Sequence, residues 1–322
     1  MKAMICKLGL TAFLALTGVA TATTYYIDDN SNDGDVYTPG FTGNDSNSGT
    51  ANTAPKLTLN NLLSSTNLLP GDIVLIDTGT YATNVVIGTN VNGAAGNPIV
   101  FQGASNYPAA RTTFISSGPP VFEIQGSYLT FSFIETMGGL NSFLLKGARN
   151  CELNSLIGRN AGQSIRIEGG ASSNSIRRGV FHAILYSAFG GDLPGRDNYM
   201  ENCVVWSTKS AAFAPQMGLL SNAINNIGIG VYGMGGLGYG IDKGSHNILS
   251  YSGSFSLPYE TLADYMRIYT NFQNNTVADP KFVDAEGFDF HLLSGAGFVS
   301  NGVWVTNAAV GYSPGIDFGA RE

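Results

Sequence analysis

The sequence predicts an all-β solenoid, a parallel β-helix, from three observations. The first is a repeat. Short segments at Phe122-Glu123-Ile124, Phe143-Leu144-Leu145 and Ile165-Arg166-Ile167 recur at spacings of 21 and 22 residues. A second set interleaves with them and runs on: Leu129-Thr130-Phe131, Cys151-Glu152-Leu153, Ser175-Ile176-Arg177, Tyr199-Met200-Glu201, Leu219-Leu220-Ser221 and His246-Asn247-Ile248. Periods of about 20–50 residues indicate solenoids or propellers. The second observation is composition. Gly and Asn make 71 of the 322 residues, and both tolerate the positive φ of sharp corners. The third is what each unit lacks. No unit carries a helix, which excludes leucine-rich and ankyrin arrays, and a four-stranded blade would need about 40 residues. A coil of roughly 22 residues that closes on itself is a parallel β-helix of two or three short strands per turn.

Composition removes the competing classes. Charged residues are 12% of the chain against roughly 25% in ordinary domains. The chain is too poor in Lys, Glu, Leu and Ala for a helical bundle or coiled coil. With 43% apolar and 11% aromatic residues it is not disordered either. A pI near 4.9 speaks against a nucleic-acid partner.

Taken in order, the chain starts with a predicted signal peptide over residues 1–22. Lys2 and Lys7 supply its positive charge, Leu8 to Ala20 its apolar stretch, and Ala20-Thr21-Ala22 a small-x-small cleavage site. The mature chain is then expected to start at Thr23, with 14 basic and 23 acidic groups and a net charge of −9. No later stretch has the 18 or so unbroken apolar residues of a membrane span, so an exported protein with no membrane span is expected. Residues 23–70 would form an N-terminal cap, with a helix over Lys56–Thr66 placing Leu59, Leu62 and Leu63 on the first coil. Residues 71–278 would form the coils. The repeat fades from Asp279, so 279–322 is expected to close the other end as an irregular cap.

The caps also carry a resemblance. Gly43-Asn44-Asp45-Ser46-Asn47-Ser48-Gly49-Thr50, Pro70-Gly71-Asp72-Ile73-Val74-Leu75 and Gly79-Thr80-Tyr81 resemble the N-terminal signature of exported bacterial right-handed parallel β-helix proteins of the pectate-lyase-like superfamily. Asp279-Pro280-Lys281-Phe282-Val283-Asp284, Asp289-Phe290-His291-Leu292 and Ser313-Pro314-Gly315-Ile316-Asp317-Phe318-Gly319 resemble that group's C-terminal signature, with a long stretch between Leu293 and Ser313 as a departure. The resemblance covers nearly the whole mature chain. It implies a right-handed coil and a secreted or cell-surface location. The group includes polysaccharide lyases, some glycosidases and members that look like surface or binding proteins.

On such a coil, equivalent positions stack about 4.8 Å apart, and alternate residues of a strand face outward. Phe143, Leu145, Ile165 and Ile167 then point inward. Gln125, Lys146 and Glu168 form one outward column, and Glu123, Leu144 and Arg166 the next. On the second face Leu153, Ile176 and Met200 stack inside, with Asn154, Arg177 and Glu201 outside. Asn202 and Asn222 each follow an inward apolar residue by two positions, where stacked Asn side chains could bond coil to coil. Cys6 leaves with the signal. Cys151 and Cys203 lie two coils apart at different offsets, a separation near 9.6 Å that exceeds disulfide reach, so two free thiols are predicted.

Charge is the most informative functional feature. Residues 23–138 carry two basic and nine acidic groups. Residues 139–181 carry six (Lys146, Arg149, Arg159, Arg166, Arg177 and Arg178) against Glu152 and Glu168. Residues 182–322 carry six against twelve. A basic island in an acidic protein suits an acidic polysaccharide; equally, the stacking predicts local ion pairs Lys146–Glu168 and Arg177–Glu201. A β-eliminating lyase neutralises the substrate carboxylate, removes the C5 proton and lets the C4 oxygen leave. Lys146 and Arg166 fit the neutralising role, His182 and Tyr186 the base, and Arg177, Glu168 and Gln125 substrate contacts. Glycosidase chemistry needs converging carboxylates, and the central coils are short of Asp; Asp192 and Asp197 flank a Pro-Gly loop and read as turn residues.

Asp29, Ser31, Asp33, Gly34 and Asp35 match the start of an oxygen-ligand calcium loop, with Gly40 where the twelfth-position Glu would stand. Asp29, Asp33 and Asp35 are thus candidate Ca2+ ligands, and Asx turns are the other reading. Zinc spacings, dinucleotide fingerprints, P-loops and nucleophile elbows do not occur. Two functions fit: a monomeric carbohydrate-acting lyase, or a non-catalytic surface or carbohydrate-binding β-helix. For the second, the nearly uncharged Gly218–Gly244 stretch, rich in Gly and Tyr, resembles a contact surface.

Overall fold

The computed structural model describes residues 21–104, 111–192, 195–210, 213–215, 220–230, 244–245, 247–251, 263, 267, 272–277, 279–280, 282–284 and 289–292. The predicted signal peptide, most of the Gly218–Gly244 stretch and the Ser313–Gly319 motif lie outside them.

Three parallel sheets build a solenoid. Among the described residues sheet A has ten strands, sheet B nine and sheet C six, and from Ile73 to Pro215 the chain visits A, B and C in turn. The central coil illustrates the pattern: Glu152–Asn154 in A, Ile157–Ala161 in B and Gln163–Glu168 in C. The predicted registers hold. Phe143 pairs with Phe122 and Ile165, and Leu153 with Phe131 and Ile176, which pairs in turn with Met200. Sheet B was not foreseen as a separate face.

Alternation along each strand stacks the inward side chains coil on coil. Phe101 stacks on Phe131 at 4.9 Å and Phe122 on Phe143 at 5.5 Å, while Phe114 meets Phe122 edge-on at 4.8 Å. Such pairs add about 0.5–1.5 kcal/mol each beyond burial. Corners are made by left-handed residues in two columns. Asn150, Ser173 and Asp197 lie ahead of sheet A, and Ser155, Arg178, Asn202 and Asn225 between A and B.

The asparagine ladders exist, with other members than the two predicted. One consists of Asn174 and Asn198 before sheet A, the other of Asn226, Asn247 and Asn275 before sheet B. Asn202 is a positive-φ corner residue and Asn222 pairs with the outward Tyr199. The cause is a register shift. The strand Leu220–Ile224 sets Ala223 against Met200, moving the inward position on from Leu220. Likewise Asn247 stands at a corner between Gly244–Ser245 in A and Ile248–Tyr251 in B. Leu219 and His246 lie outside the described residues.

The N-terminal helix spans Leu59–Ser65, shorter than predicted. Thr58 caps it by accepting from Asn61 N, and Leu59 and Leu62 are fully buried. Asp45 in turn accepts from the amide and hydroxyl of Thr58 at 2.9 Å. Gly43 is needed by close approach, since a Cβ there would lie 2.0 Å from the Asp28 carbonyl. Phe282–Asp284 and Asp289–Leu292 form an antiparallel pair within the segment expected to be the C-terminal cap.

Candidate functional site

Sheet C carries the face on which Lys146 and Arg166 were placed. The register confirms the outward columns: Glu123, Leu144 and Arg166 align, and Lys146 aligns with Glu168. The pairing differs from the expected one. Lys146 Nζ lies 3.6 Å from Glu123 Oε1, which also accepts from Gln125 Nε2 at 2.7 Å. Arg166 takes Glu168 instead, its Nε donating at 2.9 Å. It also bonds Asp192 on the next coil and reaches Gln163 Oε1 at 3.4 Å. Gly190 is the residue paired with Arg166 on that coil, and having no side chain it lets the guanidinium lie across to Asp192.

Asp192 is therefore a site residue that the sequence reading assigned to a turn. Its signal was the repeat itself: Ile167 pairs with Gly191, so the column Gln125, Lys146, Glu168 continues to Asp192. Asp197 is the turn residue, with φ 56°.

The other candidates sit elsewhere. Arg177 lies on sheet A, its Nε donating to Glu201 at 3.0 Å as predicted, with Glu152 at 3.7 Å. His182 lies on sheet B within Val180–Ala183, nearly buried, its ring centroid 4.9 Å from that of Trp206. Burial lowers its pKa. Tyr186 is exposed in the corner from B to C. Its amide donates to Gly162 at 2.9 Å, and neighbouring Ser187 accepts from Gln163, the residue that touches Arg166. The proposed neutralisers and bases are thus split: Lys146 and Arg166 share a face, Tyr186 borders it, and His182 does not.

Four of the six cations of the basic island stand in ion pairs: Lys146 with Glu123, Arg159 with Glu135, Arg166 with Glu168 and Asp192, and Arg177 with Glu152 and Glu201. Of these carboxylates only Glu152 and Glu168 belong to the same window; the others come from neighbouring coils. Beside the face, the B–C corners expose Leu140 on one coil and Ile184, Leu185 and Tyr186 two coils on, with Gly162 at the corner between them.

The third locus is the N-terminal leader. Asp29 accepts from the amides of Ser31 and Thr80, and its carboxylate fills the space that a Cβ at Gly79 would need. Asp33 is exposed. The carboxylates that converge are Asp28, Asp35 and Asp77, so of the three predicted cation ligands only Asp35 belongs to the group. Burial, then the charge of Asp35, pushes the Asp28 carboxyl up to about 7. Burial, then Asp77, pushes Asp35 up to about 6. Asp28 was missed because the loop pattern starts one residue later, and Asp77 because it lies a coil away.

The three sheets wind as a parallel β-helix. The family model described as Disaggregatase related matches residues 196–319. Among solved structures a rhamnogalacturonan lyase is similar with a TM-score of 0.50 at 20% identity, covering 75% of this chain and 64% of that one. This chain thus spans less than two-thirds of that enzyme's length. A pectate lyase gives 0.46 at 16% identity over 94% of this chain and 97% of its own. An alginate lyase from Paenibacillus sp. str. FPU-7 gives 0.40 at 17% over 61% and 74%. At these identities the likeness is one of fold. No curated protein matches the chain. No helix among the described residues is long and apolar enough to cross a membrane.

Proposed function

We propose that this chain is an exported carbohydrate-binding β-helix that holds a polysaccharide along sheet C without cleaving it. The observation that carries this reading is the paired lattice Glu123–Lys146 and Glu168–Arg166–Asp192. A lyase subsite needs cations able to meet a substrate carboxylate, and a base beside them. Here the arginine already holds two carboxylates, and His182 packs at a tilt against Trp206 on another sheet. What the face does offer is fixed donors and acceptors, with Gln125 among them, on a rigid parallel sheet. Hydroxyl-rich chains are read by such groups, and the corners at Leu140 and at Leu185 and Tyr186 supply apolar surface for sugar rings. The five charges of the lattice sum to −1, which suits a neutral polysaccharide better than a polyuronate.

A second reading, a β-eliminating lyase, is favoured by one observation. The Tyr186 corner is tied through Ser187 and Gln163 to Arg166, so a phenol stands at the border of the cationic face. The experiment that separates the two incubates the purified chain with pectate, alginate, glycosaminoglycans and neutral glucans and mannans. Affinity electrophoresis reads binding and ultraviolet absorbance reads the unsaturated uronide that elimination alone creates. Retarded migration with no absorbance is the expected result. Absorbance that vanishes in Tyr186→Phe establishes the lyase, and no retardation by any polymer removes the binding reading.

A further inference from the structure

Asp28 directly follows the sheet A strand Thr24–Ile27, and Asp77 directly follows Ile73–Ile76. Ile27 pairs with Ile76, so the coil stacks the two carboxylates at one corner, one coil rise apart. Asp35 joins them from the leader, and one oxygen of each lies within 4.8 Å of the others. The three are not equivalent. Asp77 is satisfied, accepting from the amides of Val36, Tyr37, Thr38 and Thr78 at 2.7 Å and from the Thr38 hydroxyl at 2.8 Å. Asp28 is 0% exposed, and neither of its carboxylate oxygens makes a well-formed hydrogen bond, the nearby Thr38 hydroxyl donating to Asp77; both oxygens of Asp35 are in the same condition beside the Thr78 hydroxyl. None of the ion pairs among the described residues reaches any of the three.

A buried carboxylate with neither a well-formed hydrogen bond nor a counter-charge is strongly unfavourable, and two beside a third are worse. A cation in their midst removes that cost. We propose that Asp28 and Asp35, with the negative charge of Asp77 beside them, hold a calcium ion that fastens the 28–38 leader to the first coil. The donors are oxygens alone, which excludes the thiolate and imidazole sets preferred by zinc. Oxygens about 2.3–2.6 Å from one Ca2+ lie up to roughly 5 Å apart, so one ion fits between the Asp28 and Asp35 carboxylates. Mg2+ keeps most of its water and is seldom held in an all-protein carboxylate cage. The site lies in the N-terminal cap and is independent of the binding function proposed for sheet C.

The test uses the full chain, stripped with chelator and dialysed into metal-free buffer at pH 7.5. Calcium is expected to raise the melting temperature by several degrees, and Tb3+ to give tyrosine-sensitised luminescence, since the Tyr81 hydroxyl bonds the Asp77 carbonyl at 3.1 Å. Calcium should displace that signal, and equal Mg2+ should displace far less. Asp28→Asn and Asp35→Asn should each abolish the calcium-dependent rise while melting, in chelator, at or above the wild-type temperature, because each removes a repelling charge. No calcium shift and no sensitised Tb3+ would overturn the site. So would a shift that survives undiminished in both variants, and equal competition by Mg2+ would overturn the assignment to calcium.

Discussion

Asn174 donates from Nδ2 to Oδ1 of Asn198, its equivalent one coil later, at 3.0 Å, and its own amide donates to the same oxygen at 3.1 Å. Its second Nδ2 bond goes back to the Ala148 carbonyl at 3.0 Å, and its Oδ1 accepts from Cys151 N. One buried side chain therefore satisfies the backbone of two coils at a corner where no sheet can. Asn198→Ala strands the Asn174 donors and the Ala171 carbonyl. The expected loss is about 1–3 kcal/mol in chemical denaturation. A change below about 0.5 kcal/mol, the range of surface substitutions, would show that the ladder carries no stability.

Each ladder starts at a cysteine. Cys151 precedes Asn174 in one column and Cys203 precedes Asn226 in the other, where its amide donates to Asn226 Oδ1 at 3.0 Å. The two thiols thus belong to different corners and are free, as the coil offsets predict. Burial pushes Cys151 up to about 11 and Cys203 up to about 12. Thiolate is the reactive form, so the native chain should not react with a disulfide reagent at pH 8 over hours. In denaturant two thiols per mature chain should titrate at once. Rapid native labelling of either would contradict this packing.

The sheet C strands from Phe122 to Glu168 and the sheet A strands from Leu129 to Glu201 were legible because one feature, apolar residues at a spacing of 21 to 24, fixed strand, face and register together. Where that spacing slipped, the reading slipped with it. Ala223 is small enough to hide its inward position next to Leu220, so the ladder residues Asn226 and Asn247 were missed. The site was less legible for a related reason. In a coil, contacts join residues more than twenty positions apart, so a charge count along the chain sees the cations of 139–181 without Glu123, Glu135, Asp192 and Glu201. The same geometry hid the acidic group, in which Asp77 stands about fifty positions from Asp28 yet one coil away.

His182 gives a pH signature. Its pKa is lowered by burial, whereas in the unfolded chain it is about 6.5. Between the two values the unfolded chain binds the proton and the folded chain does not. Its contribution is therefore complete above about pH 6.5 and declines as the pH falls towards the folded value. Melting temperature should fall more steeply over that window in the wild type than in His182→Gln. Parallel curves for the two proteins would place the acid sensitivity elsewhere.

Arg166 and Asp192 give the sharpest test of the binding face. The guanidinium bridges Glu168 and Asp192 from neighbouring coils, a geometry that an ammonium cannot reproduce. All three side chains are partly exposed, so the pairs contribute at most about 1 kcal/mol to stability, and Arg166→Lys should melt close to the wild type. Polysaccharide affinity should nevertheless fall about tenfold or more, since a charged hydrogen bond to ligand is worth roughly 1.5–3 kcal/mol. Asp192→Asn works in the other direction: it unloads the arginine without moving it. Retention by a polyuronate should then strengthen and become salt-sensitive, while retention by a neutral glycan stays unchanged. If both polymers respond alike to Asp192→Asn, Arg166 is not where the sugar is read.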